Sequence, residues 1–281
     1  MVTIEDKPPI PAPRRNSAGL RRDLEILDVL ASPEALAVGG LGVFQLAALV
    51  GRDKSMISRT LATLAEAGLI SRDPITRNYR LGHKLFALAA RTFESHLVHV
   101  ARPYLRQLEN ATGETTHLSV LRGGNVLTLA SEESDQDIHA RSWEGMTTAA
   151  WQTPSGRVLL SDWTEEALYQ WYQFHYDDPA ILGAAPQDHP GGQTLVTDFE
   201  SLKTEINRVR RQGFAVVDEE FEKGVIAVSA PIFDSRQRII AAINVSAPKS
   251  RIDGHVAEAG KSAIRIAAKI SERLTAGRSE G

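Results

Sequence analysis

Two helical segments that only three residues separate constrain this chain more than any other feature of its sequence. Residues 43–50 are almost wholly apolar and predict a short helix that ends at Gly51, a residue type that commonly terminates helices. Asp53 has the carboxylate of an N-cap and predicts a second helix over residues 54–67. The apolar face of that helix carries, at helical spacing, Ile57, Leu61 and Leu64.

A helix before this pair and a hairpin after it extend the pattern. Residues 20–32 have a leucine stripe at helical spacing and predict the preceding helix. Residues 69–72 and 78–81 predict two short strands around a turn-like segment that contains Asp73-Pro74. This order of elements is typical of a winged helix-turn-helix, which we predict over residues 20–83.

The charge distribution supports nucleic-acid binding by this part of the chain. Residues 51–84 carry seven basic and three acidic side chains, whereas the formal net charge of the whole chain is −3. In a helix-turn-helix the second helix enters the major groove, and the wing contacts the backbone or the minor groove. The predicted DNA-binding residues are Lys54, Ser55, Met56, Ser58 and Arg59 on the helix and Arg72, Arg77 and Arg80 on the wing. Charge alone would equally fit a solvated helix face.

Composition places the chain among ordinary soluble proteins. A length of 281 residues suggests two domains, and the absence of cysteine excludes disulfides and thiolate metal sites. Residues 1–19 are rich in proline and predict a disordered tail without the apolar segment of a signal peptide. No apolar run is long enough to cross a membrane, so we expect a cytoplasmic protein.

A longer helix is predicted to join the two domains. Residues 84–101 have an apolar face and form the predicted linker helix, after which Pro103 interrupts the pattern. His96 and His99 lie one helical turn apart, a spacing that can hold a metal ion, but no third ligand is predicted. We therefore expect neither a metal site nor a cofactor.

The remaining residues, 102–276, mix strands and helices. Alternating residues on each side of Gly123-Gly124 predict a hairpin, and three later strands are predicted at 214–218, 225–233 and 239–247. Four helices are predicted at 154–160, 164–174, 200–212 and 255–275. The predicted fold class is therefore α+β, with an antiparallel sheet flanked by helices.

The sequence resembles the IclR family of transcription regulators over roughly residues 20–275. The N-terminal motifs of the resemblance are Lys54-Ser55-Met56-Ile57-Ser58-Arg59 and Tyr79-Arg80-Leu81-Gly82. Those of the C-terminal part are Thr112-Gly113-Glu114-Thr115, Ser155-Gly156-Arg157, Gly213-Phe214-Ala215-Val216 and Ala241-Ala242-Ile243-Asn244-Val245-Ser246. The resemblance implies a GAF-like effector-binding domain and dimers that can pair into tetramers.

The same resemblance implies an effector site between the sheet and the start of a helix. By position the polar side comprises Thr153, Pro154, Ser155, Asn244 and Ser246, and the apolar side comprises Val217, Val225 and Ala227. Free N–H groups at a helix start attract anions, so the predicted helix start in this segment favours ligand binding on physical grounds as well. The alternative is that these polar side chains are satisfied in an ordinary packed core.

Two tryptophans flank the predicted site. We predict that Trp143 or Trp151 lines it, although large rings often simply fill a core. In the family, a histidine usually lies near the position of Trp151, and Val217 replaces a residue that is often acidic. Together these features predict an aromatic or apolar ligand with a carboxylate or amide at its polar end.

The predicted function is a DNA-binding transcription regulator, a repressor rather than an activator, whose operator affinity a small-molecule effector changes. The chain contains no nucleophile elbow, P-loop, dinucleotide fingerprint or zinc-protease motif. Two alternatives remain open: a DNA-binding protein without a ligand, and an enzyme with an N-terminal interaction module. The sequence also has a carboxylate cluster, Asp218-Glu219-Glu220. It fits a solvated sheet edge or salt-bridge partners as well as catalysis.

Overall fold

A computed structural model of the chain describes residues 18–140, 142–176, 178 and 195–276. The chain divides into two compact units, with the boundary between Thr92 and Phe93; we call them the N-terminal unit and the C-terminal unit. Most of the predicted N-terminal tail lies outside the described residues, and its last two residues, 18 and 19, already belong to the first helix. In the described ranges, none of the helices has the length and apolarity that a membrane crossing needs.

The N-terminal unit is a three-helix helix-turn-helix core with a two-stranded hairpin. Its elements are α1 (Ala18–Leu30), α2 (Pro33–Ala37), α3 (Val43–Val50), α4 (Lys54–Glu66), β1 (Ile70–Arg72), β2 (Tyr79–Leu81) and α5 (His83–Ala89). Apolar residues at helical spacing on α1, α3 and α4 meet in one core around Ile26, Leu46 and Leu61. β1 and β2 pair antiparallel, and Tyr79 also bridges to Leu41. The predicted winged helix-turn-helix is confirmed.

The prediction for the segment that joins the two units was wrong, and a short helix that was not predicted follows α1. Pro33 occupies the first position of this helix, α2, where its missing N–H costs nothing, and the Ser32 hydroxyl caps the helix. The expected single helix over 84–101 is two helices, α5 and α6 (Phe93–Thr112), and α6 continues through Pro103. Burial of Leu97, Ala101 and Leu105 along one face of α6 offsets the hydrogen bond lost at the proline.

The C-terminal unit is built on one six-stranded antiparallel sheet. Its strands, in spatial order, are β5 (Thr147–Ala149), β4 (Asn125–Glu132), β3 (Thr115–Arg122), β8 (Ile239–Pro248), β7 (Val225–Phe233) and β6 (Ala215–Asp218). The further helices are α7 (Pro154–Leu159), α8 (Glu165–His175), α9 (Phe199–Gln212), α10 (Lys249–Ile252) and α11 (Val256–Ala276). The α+β prediction is confirmed, and the sequence did not predict β5 and α10.

The two faces of this sheet have different partners, because side chains alternate along each strand. Leu118, Val228 and Val245 lie on one face and belong to the apolar cluster that α6 and α11 complete. The opposite face carries Ala215 and Ala242 in a second cluster with residues of α7, α8 and α9. His117, Ser119, Ser229, Asn244 and Ser246 lie on this second face, next to α7.

Candidate nucleic-acid interface and ligand cavity

The turn between α3 and α4 is stabilised by the residues that predicted it. Gly51 ends α3 in the left-handed conformation, with φ of 65°. The Asp53 carboxylate accepts a hydrogen bond from the Ser55 amide at 2.7 Å and caps α4. This bonding with Ser55 lowers the pKa of Asp53 below its usual value, so the cap is ionised at neutral pH. The start of α4 is thereby held in one orientation.

The predicted recognition residues form one exposed surface of α4. Ile57, Leu61 and Leu64 are buried in the core, and the remaining first-turn residues face outwards. The Lys54 ammonium lies 3.9 Å from the centroid of the exposed Phe44 ring, a cation–π contact that restrains the lysine. The exposed predicted residues on this helix are Lys54, Ser55, Met56, Ser58 and Arg59.

The hairpin presents the three predicted wing arginines at the surface. Asp73 accepts hydrogen bonds from the amides of Ile75 and Thr76 at 2.9 and 2.8 Å, which fixes the loop. Arg77 has a positive φ of 63° and accepts a bond through its carbonyl from Arg72. The Arg80 guanidinium donates to the Ser71 hydroxyl at 3.2 Å. The wing is therefore a rigid hairpin with exposed guanidinium groups.

The basic residues of this surface form no direct ion pair with the acidic residues that the structure describes. In the part of the chain that the structure describes, no ion pair is recorded for Lys54, Arg59, Arg72, Arg77 or Arg80. Arg52 provides a contrast, because it is only 15% exposed and pairs with Asp23 at 2.8 Å. Arg52 joins the turn to α1, whereas the five exposed cations can meet phosphates or base edges.

The C-terminal unit contains a cavity between the polar sheet face and the start of α7. Its empty volume is about 640 Å³, a figure that includes the space open to solvent at its mouth. The sequence-predicted residues that line it are Trp143, Thr153, Pro154, Ser155, Val217, Val225, Ala227, Asn244 and Ser246. The tertiary fold therefore brings together two segments that are about ninety residues apart in the sequence.

Trp151 does not line this cavity. Its ring stacks on Tyr176 with centroids 4.9 Å apart, and its indole N–H donates to the Tyr176 carbonyl. Trp143 lies on the cavity wall instead, where its ring meets Phe221 edge to face with centroids 5.4 Å apart. Of the two predicted tryptophans, therefore, only Trp143 can contact a ligand there directly.

The start of α7 is less open to anions than the sequence suggested. Pro154 has no N–H, and the Gly156 amide already donates to the Thr153 hydroxyl at 3.1 Å. Gly156 is required here, because a Cβ atom on it would lie 1.9 Å from the Ala150 carbonyl oxygen. The polar groups of this helix that reach the cavity are mainly side chains, and the Ser155 hydroxyl bonds to Ser229 at 2.9 Å.

Asn244 occupies the centre of a hydrogen-bonded cluster on the cavity wall. Its amide donates to the Ser229 hydroxyl at 2.9 Å, and its carbonyl oxygen accepts from the Ser246 hydroxyl at 2.7 Å. These two bonds fix the amide orientation but leave one donor hydrogen and one acceptor lone pair. Asn244 is thus positioned to bond a ligand.

Sequence reasoning missed His117 and Ser119, which also line the cavity. The His117 Nδ1 lies 2.8 Å from the Ser131 hydroxyl, and its buried Nε2 has no hydrogen-bond partner among the described residues. Burial lowers the pKa of His117 to about 4, so the ring is neutral at pH 7. The available signal was the alternation around Leu118, which places both polar residues on the face opposite that leucine.

A buried ion cluster lies behind the cavity. Arg157 of α7 is fully buried and donates to both carboxylate oxygens of Glu220, at 3.0 and 2.6 Å, with Glu205 at 3.7 Å. Glu220 precedes Phe221 and Glu222, two residues of the cavity wall. The cluster therefore connects α7 to the segment that carries part of the wall.

The other two carboxylates of the cluster Asp218-Glu219-Glu220 also have cationic partners. Lys249 lies 2.8 Å from both Asp218 and Glu219, and its hydrogen bond lowers the pKa of Glu219. Salt-bridge formation, one of the two non-catalytic interpretations, therefore describes all three residues. His96 and His99 are both exposed on α6, and no group of three or more metal-ligating side chains occurs among the residues described.

Comparison with known families gives a consistent result for both units. Residues 19–74 match the model of the IclR helix-turn-helix domain. Residues 90–272 match the model of the bacterial transcriptional regulator IclR C-terminal domain. Together the two models account for nearly all of the described residues.

Individual relatives extend over most of the chain. The HTH-type transcriptional regulator BhcR of Paracoccus denitrificans is 30% identical over 261 residues, which cover 91% of this chain and 88% of that protein. The DNA-binding transcriptional repressor YiaJ of Escherichia coli is 24% identical, over 84% of this chain and 80% of that protein. The crystal structure of the Thermotoga maritima IclR has a TM-score of 0.67 and 25% identity, over 91% of this chain and 98% of that chain.

Proposed function

The chain belongs to the IclR family of bacterial transcriptional regulators, and we propose that it is a repressor whose operator binding responds to a small molecule in the cavity of the C-terminal unit. It is a DNA-binding regulator by family. Its relatives are named as transcriptional regulators, and we assign no reaction to it. The observation that carries the proposal is the exposed basic surface of α4 and the wing, whose cations form no ion pair with the described residues.

The DNA contacts follow from the geometry of the helix-turn-helix. α4 enters the major groove with its first turn towards the base edges, so Ser55, Ser58 and Arg59 read bases. Lys54 and the wing arginines, Arg72, Arg77 and Arg80, contact phosphates or the minor groove. Met56, 47% exposed, offers an apolar contact to a thymine methyl group.

The cavity supplies the effector response. Its apolar wall includes Val217, Val225 and Ala227, and its polar wall includes Asn244 and Ser246. A ligand with an apolar body and a hydrogen-bonding end satisfies both walls. Such a ligand acts on DNA binding only if its affinity differs between two states of the protein.

A footprinting experiment tests this function. Purified protein is incubated with the DNA upstream of its own gene and of the neighbouring genes, with and without the metabolites those genes process. We expect a protected site, roughly one helical turn per half-site, whose occupancy changes with one metabolite. Protection that no metabolite changes would favour a ligand-independent DNA-binding protein, and no protection at all would contradict regulation of these genes.

We also propose that the protein is a dimer, which can pair further into a tetramer. The sequence predicts that Leu85, Phe93 and Leu97 are buried against a partner or the neighbouring domain, and Leu97 is wholly buried in the core of the C-terminal unit. On α5, Phe86 and Leu88 are 79% and 53% exposed and are better candidates for the dimer interface. Burial of these side chains against a second copy would place two recognition helices on a palindromic operator.

Light scattering at micromolar concentration tests the dimer. We expect a mass of at least two chains for the wild type and a lower mass for Phe86→Glu, because a charge on an apolar interface opposes association. Phe174→Glu is the matched control, since Phe174 is 66% exposed on α8. A monomeric wild type would contradict the dimer, and an unchanged mass for Phe86→Glu would contradict this interface.

Replacement of Asn244 tests the ligand site. Asn244→Ala removes the amide at the centre of the polar wall, so we expect effector affinity to fall roughly tenfold or more and operator affinity without effector to persist. Tryptophan fluorescence titrations with the effector identified by footprinting measure the first quantity, and gel shifts measure the second. Equal effector affinity for both proteins would show that the ligand does not bond Asn244.

A further inference from the structure

We propose that the ligand of this cavity carries a hydroxyl group that hydrogen-bonds to Nε2 of His117, so that His117 selects hydroxylated aromatic or apolar molecules. The inference rests on the proposed effector function and names the ligand chemistry of the same site. It starts from an unusual polar atom. His117 lines the cavity and is 4% exposed, and its Nε2 has no hydrogen-bond partner in the described structure.

Strand register places this atom at a gap in a row of polar side chains. Across the sheet, Ser131, His117, Asn244 and Ser229 are successive register partners on β4, β3, β8 and β7. Hydrogen bonds join Ser131 to His117 and join Asn244 to Ser229. No bond joins the two pairs, so a ligand group between them can bond both His117 and Asn244.

Burial determines the charge of the ring. The pKa of His117 is lowered to about 4 by desolvation, so at neutral pH the ring offers one N–H or one lone pair at Nε2. A buried polar atom without a partner is unfavourable, because it has lost its hydrogen bonds to water and gained none in return. A ligand that bonds Nε2 removes this cost, whereas a purely apolar ligand of the same shape leaves it in place.

The partner of Nδ1 points to a hydroxyl. The Ser131 hydroxyl can donate to Nδ1, in which case Nε2 carries the hydrogen and donates; or it can accept, in which case Nε2 accepts. A ligand hydroxyl donates and accepts, so it satisfies either tautomer, whereas a carboxylate satisfies only one. Glu222, a carboxylate on the same lining, further disfavours an anion.

The rest of the cavity fits the body of such a ligand. Trp143 and Phe221 present their rings on the wall, and Val126, Val217 and Val225 add aliphatic surface. A flat ring can pack against these groups while its hydroxyl reaches the polar row. This combination defines the class as a hydroxylated aromatic or similarly apolar small molecule.

Three probes that share one ring test the proposal: phenol, benzoate and toluene. Full-length protein with ¹⁵N-labelled histidine is titrated with each probe at pH 7, and the Nε2 resonance of His117 is followed. We expect phenol to shift this resonance and toluene to leave it in place. A resonance that phenol does not move, or that benzoate alone moves, overturns the proposal.

Variants separate bonding from structure. We expect His117→Leu to weaken phenol binding roughly tenfold relative to toluene binding, and His117→Gln, whose amide can replace Nε2, to restore much of it. His255→Leu is the matched control, because His255 is exposed outside the cavity. Equal phenol affinity in His117→Leu and wild type overturns the proposal, and if that variant does not fold, the wild-type resonance still decides.

A parallel measurement distinguishes this inference from the proposed function. Operator affinity is measured by fluorescence anisotropy with and without the metabolite found by footprinting. A hydroxylated probe that shifts the Nε2 resonance supports the ligand contact even where no ligand changes operator affinity, a result that contradicts effector control only. A metabolite that changes operator affinity without shifting Nε2 supports effector control and overturns the His117 contact.

Discussion

Replacing Arg157 with methionine is expected to lower the free energy of unfolding of the C-terminal unit by about 3–5 kcal/mol, the cost of removing one partner of a buried ion pair. Arg157 is fully buried, and Glu220 and Glu205 beside it are 8% and 6% exposed. Methionine fills much of the volume but removes the cation that both carboxylate oxygens of Glu220 contact and that Glu205 shares with Arg208. The loss therefore comes from uncompensated charge more than from packing.

Urea unfolding followed by tryptophan fluorescence measures this effect in the intact protein. All four tryptophans lie in the C-terminal unit, at positions 143, 151, 163 and 171, so their signal reports on that unit alone. We expect a clear shift of the transition to lower urea concentration. A change below about 1 kcal/mol would show that Arg157 and Glu220 are not paired as described.

Two further variants control this experiment. Arg208 lies 3.5 Å from the same Glu205 but is 54% exposed, so Arg208→Met should cost less than about 1 kcal/mol. Adding Glu220→Gln to Arg157→Met removes one stranded charge and should recover part of the stability. A double variant that is no more stable than the single one would argue that the loss is due to packing.

Removing the Arg59 side chain is expected to weaken operator binding by about 1–3 kcal/mol, or roughly 5- to 150-fold. Arg59 is exposed on α4, and its Nε donates to the Ser55 carbonyl, so the rest of its guanidinium is available to a base. A bidentate contact with guanine would explain sequence preference. Binding to scrambled DNA should therefore fall less than binding to the operator.

Arg77→Ala provides the comparison on the wing. A contact with the backbone or the minor groove does not depend on most of the sequence, so both duplexes should lose affinity similarly. For a phosphate contact, the slope of log affinity against log salt should also fall by about one. Gel shifts on both duplexes measure these quantities, with Arg265→Ala, an exposed residue of α11, as the control. Unchanged operator affinity in Arg59→Ala would contradict the recognition-helix assignment.

Local sequence predicted the elements well because local physics forms them. Gly51 and Asp53 mark the turn through backbone conformation and capping, two properties of a few adjacent residues. The prediction of a single linker helix over residues 84–101 failed because it rested on these local preferences alone. Pro103 is unfavourable locally, but packing of Leu97, Ala101 and Leu105 overrides it, and such packing is not readable from helical spacing alone.

For the ligand site, too, local sequence predicts some residue positions and tertiary packing decides others. Alternation along β8 correctly placed Asn244 and Ser246 on one face, and the family resemblance correctly brought them to the start of α7. The resemblance did not show that the Trp151 ring stacks on Tyr176 and so does not line the cavity. Two tryptophans close in the sequence can point to different cores, since their directions depend on neighbours elsewhere in the chain.

The sequence by itself determined the family, the fold class, the basic recognition surface and most of the cavity wall, because each is encoded in local spacing or in motifs that relatives share. Only the tertiary structure decided that His117 leaves Nε2 unpaired beside Asn244, and that Arg157 meets Glu220 across 63 residues of chain. These pairings depend on strand register and on burial. Both are properties of the assembled sheet, where residues far apart in the sequence share one low-dielectric environment.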